Sequence, residues 1–152
     1  MPLVVTRITT PEEFEIAKAL RFQVFIQEQG FDPTKDVDEH DAAETTRHFI
    51  GKDTDLDEYV AVARVLPTPE ERQVRIGRVA VLPKCRGKGH GLTLMLAVED
   101  AMAHEADAFV LSVIYERKGF YQKCGYERLD DETYLEKGVP HCMMIKKRVS
   151  QA

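Results

Sequence analysis

Six residues in the middle of the chain have types and spacing suited to phosphate binding. Residues 86–91 read Arg-Gly-Lys-Gly-His-Gly, between an apolar run at 74–82 and an apolar-periodic segment that begins near Leu92. A strand that passes through a glycine-rich turn into a helix presents several free backbone N–H groups to one point, and glycine lets a phosphate approach them. The segment therefore predicts a site for a diphosphate.

The spacing of the glycines excludes two common nucleotide fingerprints. Dinucleotide-binding folds need G-x-G-x-x-G and P-loop NTPases need G-x-x-x-x-G-K-[ST], but the glycines here fall at 87, 89 and 91 and precede Leu92 and Thr93. The pattern [RQ]-x-x-G-x-[GA] fits, through Arg86, Gly89 and Gly91. It resembles the pyrophosphate loop of the GNAT superfamily of N-acetyltransferases, whose ligand is coenzyme A. Taken alone, the hexapeptide also fits a turn that packs a helix closely on a strand.

Composition and charge narrow the class of protein. The 152 residues are 43% apolar, which predicts one domain over residues 1–152. There is no run of 18 apolar residues and no signal-peptide pattern, so we expect a cytoplasmic protein without a membrane partner. The net charge is −5 and the only basic cluster is residues 146–148. A nucleic-acid partner is therefore disfavoured, and we expect a cationic substrate.

The cysteines and acidic residues indicate neither a disulfide framework nor a metal site. Cys85, Cys124 and Cys142 are an odd set without C-x-x-C spacing, so reduced thiols are expected. Residues 31–44 contain six acidic residues but no metal-ligand spacing. We expect this acidic loop to be a solvated rim that concentrates a cationic amine, with no metal bound.

Local patterns predict an alternation of strands and helices around the glycines. Thr10-Pro11-Glu12-Glu13 has the residues of a helix start, and the apolar period continues to about Glu28 before Gly30. Strands are expected at 3–7, 48–51, 59–66, 74–82, 109–114, 126–129 and 142–145, with further helices at 92–106 and 116–124. The order is β-α-β-β-β-α-β-α-β-β.

This order resembles that of the GNAT superfamily over essentially the whole chain. The segments 21–30, 77–81, 120–126 and 138–141, together with the glycine loop, are similar to the ElaA/YjcF-like branch. The resemblance implies an α/β (α+β) GNAT fold, with a mixed central sheet of six to seven strands flanked by helices. It also implies acetyl-CoA as the acyl donor.

The resemblance implies which residues hold the donor. The pantetheine arm would lie along the strand before the glycine loop, where the main chain bonds it and one N–H polarises the thioester carbonyl. The pyrophosphate would be bound by amides of the loop and the positive end of the following helix. The implied donor-binding residues are Val79, Ala80, Val81, Arg86, Gly87, Lys88, Gly89, His90, Gly91 and Leu92.

Tyr121 is the leading candidate for the group that donates a proton to the leaving thiolate. It lies in Phe-Tyr-Gln-Lys-Cys-Gly-Tyr, which resembles a GNAT segment whose tyrosine faces the coenzyme sulfur and donates a proton to it. A phenol with a pKa of about 10 suits that role. The structural alternative is an aromatic wedge under the cofactor. Its neighbour Phe120 is expected in the core.

The general base is less well defined, because the strand at 73–81 has no acidic residue where many superfamily members place a glutamate. An alkyl ammonium has a pKa of about 10, so a base is needed near neutral pH. Glu28 and His141 are the candidate side chains, and a water is the alternative base. Arg78 is a candidate to orient a carboxylate or phosphate of the substrate. A helix-end carboxylate, a turn histidine and a solvated strand arginine are the structural alternatives.

These residues predict an acetyl-CoA-dependent N-acetyltransferase that modifies a primary amine of a small molecule by direct attack in a ternary complex. An amino sugar phosphate, a polyamine and a lysine side chain are the acceptors considered. A route through an acetylated cysteine is disfavoured, because no histidine partner is recognisable for Cys85 or Cys124. The alternative from another class is a non-catalytic coenzyme-A-binding sensor or interaction module. The oligomeric state is open, a homodimer being one option.

Overall fold

The computed structural model describes residues 2–148 and contains one sheet flanked by helices. The expected domain of 1–152 thus includes Met1 and residues 149–152, which lie outside the described residues. The strands are β1 (Leu3–Arg7), β2 (Arg47–Asp53), β3 (Glu58–Pro67), β4 (Gln73–Val81), β5 (Ala108–Ile114), β6 (Glu127–Arg128), β7 (Tyr134–Glu136) and β8 (Val139–Lys147). The α-helices are α1 (Pro11–Arg21), α2 (His90–Ala101) and α3 (Lys118–Lys123). None of the helices within 2–148 combines the length and apolar character needed to cross a bilayer.

The start of α1 confirms the predicted cap. Thr10 accepts a hydrogen bond from the Glu13 amide, and the Glu13 carboxylate accepts one from the Thr10 amide, which forms a capping box. The helix continues to Glu28 as expected, but only its first part is α-helical. Residues Phe22–Glu28 form a π-helix, a wider turn that often occurs at functional sites.

The sheet has the strand order β1-β2-β3-β4-β5-β8-β6, with β7 paired to β8. All described neighbours are antiparallel except β4 and β5. Parallel pairing of β4 with β5 covers only Gln73–Arg75 against Ala108–Val110. Beyond Arg75 the two strands diverge, so the remainder of β4 has a free hydrogen-bonding edge toward β5.

A β-bulge in β4 lies beside this opening. Val62 pairs with Ala80 and Arg64 with Gly77, so Arg78 and Val79 together oppose the single residue Ala63. Arg78 has a φ of +50°, which is uncommon for a residue with a side chain. The bulge therefore redirects Arg78 at the point where β4 leaves β5.

The structure differs from the predicted elements in several places, and β8, for example, covers Val139–Lys147 rather than 142–145. β7 was not predicted, so the sheet described for residues 2–148 has eight strands rather than six to seven. α2 begins at His90, two residues before the expected start, and ends at Ala101 rather than Ala106. Phe120 was expected in the core but is 38% exposed, because its ring lies over the glycine loop.

Candidate functional site

A cavity of about 350 Å³ opens where β4 and β5 diverge. Arg78, Val79, Tyr121 and His141, four of the residues singled out in the sequence, line it together. Glu28 and the glycine loop, residues 86–92, are not among its lining residues. The structure therefore separates the predicted residues into a cavity group and a loop group.

The glycine loop presents main-chain amides at the start of α2. The first α2 amide that reaches a carbonyl is that of Thr93, which donates to Gly89 O at 3.1 Å, so the amides of His90, Gly91 and Leu92 lack an intrahelical acceptor. Gly87 and Gly89 both have a φ of +80°, a conformation that residues with a side chain rarely adopt. Unpaired amides at a helix N-terminus and glycine at these positions fit a bound pyrophosphate.

Two residues of the loop have specific roles in packing. A Cβ on Gly91 would lie 2.7 Å from Cζ of Phe120, so only glycine fits beneath that ring. The His90 side chain is buried, and its Nε2 lies 2.8 Å from Oδ2 of Asp53. His90 can therefore offer a ligand its backbone amide but not its imidazole.

Arg86 connects the loop to the end of the π-helix. Its Nη1 and Nη2 donate to Glu28 Oε2 at 2.5 Å and to Oε1 at 2.6 Å, and its Nε donates to Val81 O at 3.0 Å. The hydrogen bond from Arg86 holds the pKa of Glu28 below its usual value. A carboxylate in such a pair is a weak proton acceptor, which favours His141 as the base.

Tyr121 lies on α3 at the wall of the cavity. Its ring is edge-on to those of Phe120 and Tyr126, at centroid distances of 5.0 and 6.3 Å. Burial and the nearby Cys124 thiol raise the pKa of Tyr121 to about 12. The phenol therefore keeps its proton at neutral pH and can act as a hydrogen-bond donor.

His141 lies beside three polar side chains, and we call these four residues the hairpin group: Ser112, Tyr134, Glu136 and His141. Its Nδ1 lies 2.7 Å from Val139 O, an acceptor, so Nδ1 carries a proton. In the neutral ring this leaves Nε2 as the basic atom, 3.4 Å from Glu136 Oε2. Ser112 Oγ lies 2.5 Å from the Tyr134 hydroxyl and donates to Glu136 Oε1 at 3.2 Å.

Tyr134 and Glu136 were not predicted as site residues because β7 was not predicted, and Ser112 on β5 was not predicted because its partners lie on β7. A signal for β7 was present, since Lys137-Gly138 forms a two-residue turn between β7 and β8 with φ values of +53° and +77°. Such a turn, with glycine second and both φ values positive, is typical of a tight hairpin. The hairpin places Tyr134 opposite His141 and Glu136 opposite Val139.

Only half of the acidic loop is the solvated rim that the sequence predicted, since Asp32, Glu39 and Glu44 are exposed but the other three acidic residues are paired. Asp36, Asp38 and Asp41 form an ionic cluster with Arg21, Arg64 and Arg78. The Arg21 side chain is fully buried, with Nε 3.1 Å from Asp36 Oδ2 and Nη1 2.9 Å from Asp41 Oδ1. The hydrogen bonds and charges of Arg21 and Arg64 hold the pKa of Asp41 far below its usual value despite its burial. The cluster anchors this loop over the cavity.

The fold and the loop agree with a known family. The profile of the Acetyltransferase (GNAT) family matches residues 13–126. The chain belongs to this family, and it is an acetyl-CoA-dependent acyltransferase. This favours the enzyme over the coenzyme-binding module considered from the sequence.

Individual relatives identify the branch of the family. The chain is 28% identical over 136 residues to the N-acetyltransferase YjcF of Bacillus subtilis, covering 89% of this chain and 93% of the relative. It is 34% identical over 130 residues to the UPF0039 protein C11D3.02c of Schizosaccharomyces pombe, covering 82% and 81%. The crystal structure of Escherichia coli ElaA superposes with a TM-score of 0.81 at 30% identity, covering 95% and 99%. The chain is thus an ElaA/YjcF-like member.

Proposed function

We propose that this protein transfers an acetyl group from acetyl-CoA to a primary amine of a small molecule, by direct attack in a ternary complex. The observation that carries the proposal is the cavity at the β4–β5 opening, which Val79, Tyr121 and His141 line together. A base and a hydrogen-bond donor on one cavity, beside a free strand edge, meet the requirements of acyl transfer to an amine.

The donor would be held mainly by the backbone. The free edge of β4 at residues 79–81 can bond the amides of a pantetheine arm as a neighbouring strand would, and the glycine loop can bind the pyrophosphate. Arg86 already occupies the carbonyl of Val81, so the main chain of Val79 and the amide of Val81 offer the remaining contacts, whereas Ala80 pairs with Val62 of β3. Bound acetyl-CoA supplies the thioester whose acetyl carbon the amine attacks.

His141 Nε2 would accept the proton that the acceptor amine loses. The bond from Nδ1 to Val139 O leaves Nε2 as the nitrogen with the free lone pair in the neutral ring, and the Glu136 carboxylate lies 3.4 Å from that atom. Tyr121 would donate its hydroxyl hydrogen bond to the leaving sulfur. Because a thiol has a pKa of about 8.5, the leaving thiolate of coenzyme A needs a hydrogen-bond donor more than it needs a strong acid.

The cysteines support direct attack rather than an acetyl-cysteine route. Cys85, Cys124 and Cys142 are all buried. Burial and the charge of Glu99 raise the pKa of Cys124 to about 11, which keeps this thiol protonated at neutral pH. A protonated, buried thiol is a poor nucleophile.

Release of free thiol from acetyl-CoA tests the proposal. We expect thiol only when a primary amine is present. Double-reciprocal plots of the initial rate against one substrate, at several concentrations of the other, should give intersecting rather than parallel lines. Tyr121→Phe should lower kcat while leaving the dissociation constant of coenzyme A within about twofold, since the loop is unchanged. Thiol release at the same rate without an amine, or an acetylated cysteine in the mass spectrum of the protein, would contradict the proposed reaction.

A further inference from the structure

The cavity is positively charged although the chain is acidic. Five cationic side chains and two carboxylates line it, a balance of three positive charges, whereas the whole chain has a net charge of −5. The cationic residues are Arg64, Arg75, Arg78, Arg117 and Lys137, and the acidic ones are Asp36 and Glu136. The cavity thus has the opposite sign to the chain that surrounds it.

Two of the five cations are already paired. Arg64 and Arg78 belong to the ionic cluster, with Arg64 Nη1 2.8 Å from Asp38 Oδ1 and Arg78 Nη2 3.3 Å from Asp38 Oδ2. Arg75, Arg117 and Lys137 have no carboxylate oxygen within 4 Å among residues 2–148. The charge of Arg117 acts on Glu28 and Tyr121, so Arg117 lies at the end of the cavity nearer the glycine loop, which leaves Arg75 and Lys137 for the remainder.

Arg75 and the hairpin group lie on one face of the sheet. Arg75 pairs with Val110, and alternation along β5 puts Val110, Ser112 and Ile114 on the same face. Ile114 pairs with His141, so the side chains of Arg75, Ser112 and His141 project to the same side. Arg75 stands at the closed end of the β4–β5 opening, away from the glycine loop.

Lys137 is held by the β7–β8 turn, next to Glu136. Its Nζ lies 4.9 Å from the centroid of the Phe31 ring. Partial desolvation and repulsion from Arg78 lower the pKa of Lys137. An anion bound at this point would relieve that repulsion.

We propose that the acceptor amine carries an anionic group, a carboxylate or a phosphate, which Arg75 and Lys137 bind while the amine faces His141. This rests on the proposed function, because it assumes that the acceptor is an amine. The same two cations disfavour a polyamine, since its second ammonium group would enter a cavity that is already positive. The substrate class is therefore an amine with an acidic substituent, although the overall charge of the chain suggested a cationic one.

Pairs of amines that differ only in the anionic group test the proposal. Glucosamine 6-phosphate is compared with glucosamine, 6-aminohexanoate with hexylamine, and spermidine is included as the cationic case. We expect kcat/KM to be at least about tenfold higher for the anionic member of one pair, and which pair shows it distinguishes phosphate from carboxylate. Arg75→Gln and Lys137→Gln should each remove most of the advantage, with KM for acetyl-CoA unchanged. Arg7→Gln, an exposed arginine on the outer strand β1, is the matched control and should retain it.

Binding separates a failure of this inference from a failure of the proposed function. If no amine is acetylated, the proposed function is contradicted, and calorimetry with glucosamine 6-phosphate and glucosamine on protein saturated with coenzyme A decides the inference. Tenfold tighter binding of the phosphate, lost in Arg75→Gln, supports the anionic subsite. Equal affinities, no heat from either ligand, or a preference for glucosamine, hexylamine or spermidine overturns it.

Discussion

The glycine loop offers amides from consecutive residues, whereas the hairpin group combines side chains of the β7–β8 hairpin with one from β5, at least 22 residues earlier. The loop depends on backbone geometry, with Gly87 and Gly89 in left-handed conformations and Gly91 beneath Phe120. In the hairpin group, Ser112 is 22 residues from Tyr134 and 24 from Glu136. A site for a constant ligand can thus be a short local motif, while a site for a variable acceptor is assembled by the fold.

The largest effect should come from the ionic cluster, which belongs to the acceptor side alone. Arg21→Met leaves Asp36 and Asp41 without their buried partner and should lower the free energy of unfolding by about 3–5 kcal/mol. Urea titration measures this. Lys18→Met on the same helix removes two surface contacts, an ion pair with Glu15 and a cation–π contact with Phe14, and should change the free energy by less than about 1 kcal/mol. Equal losses would show that the cluster does not stabilise the fold.

Loss of the proposed base, His141, should lower the rate of acetyl transfer without changing the binding of acetyl-CoA at the glycine loop. We expect His141→Gln to lower kcat by about 10²-fold, or about 2.7 kcal/mol, because proton removal from the amine is no longer assisted. KM for acetyl-CoA should stay within about twofold. His104→Gln changes an exposed histidine outside the cavity and serves as the control. An unchanged kcat in His141→Gln would assign the base to another group or to water.

A substitution within the glycine loop should weaken coenzyme A binding and leave the hairpin group unchanged. Gly91→Ala introduces a Cβ 2.7 Å from Phe120 Cζ and should weaken coenzyme A binding about tenfold, or about 1.4 kcal/mol, by displacing the start of α2. Adding Phe120→Ala should recover most of the affinity, as measured by calorimetry. Gly119→Ala has open space around its new Cβ and should bind normally. If the double variant binds no better than Gly91→Ala, the clash is not the cause.

The smallest effect is the response of stability to acid. Arg64 and Arg21 hold the pKa values of Asp38 and Asp41 below normal in the folded state, against the opposing effect of burial. Their contribution is therefore complete above the unfolded pKa of about 3.9 and is lost as pH falls through the folded values. Between pH 7 and pH 4 each carboxyl should account for only about 0.3 kcal/mol. Urea titrations should show this decrease, steeper below pH 4, and a smaller one in Asp38→Asn; stability that rises on acidification would contradict the assignment.

The features that the sequence predicted are those formed by consecutive residues, and the ones that were missed are formed by residues distant in sequence. The Thr10 cap and the hexapeptide at 86–91 are contiguous signals, and local rules were sufficient for them. The three-residue β7 is too short to show an alternating pattern, so Glu136 was missed. The acidic loop was misread because its partners are distant, with Arg21 15 residues from Asp36 and Arg78 42 residues from it. Net charge was equally uninformative about the cavity, because it averages over surfaces that the substrate never contacts.

The π-helix has a mechanical consequence. Arg21, at its N-terminal boundary, is fixed in the ionic cluster, and Glu28, at its last residue, holds Arg86 of the glycine loop. The two anchors are seven residues apart on one continuous helical segment. One short helical segment is therefore held at its start by the ionic cluster and at its end by the glycine loop, so a substitution at either anchor should be felt at the other.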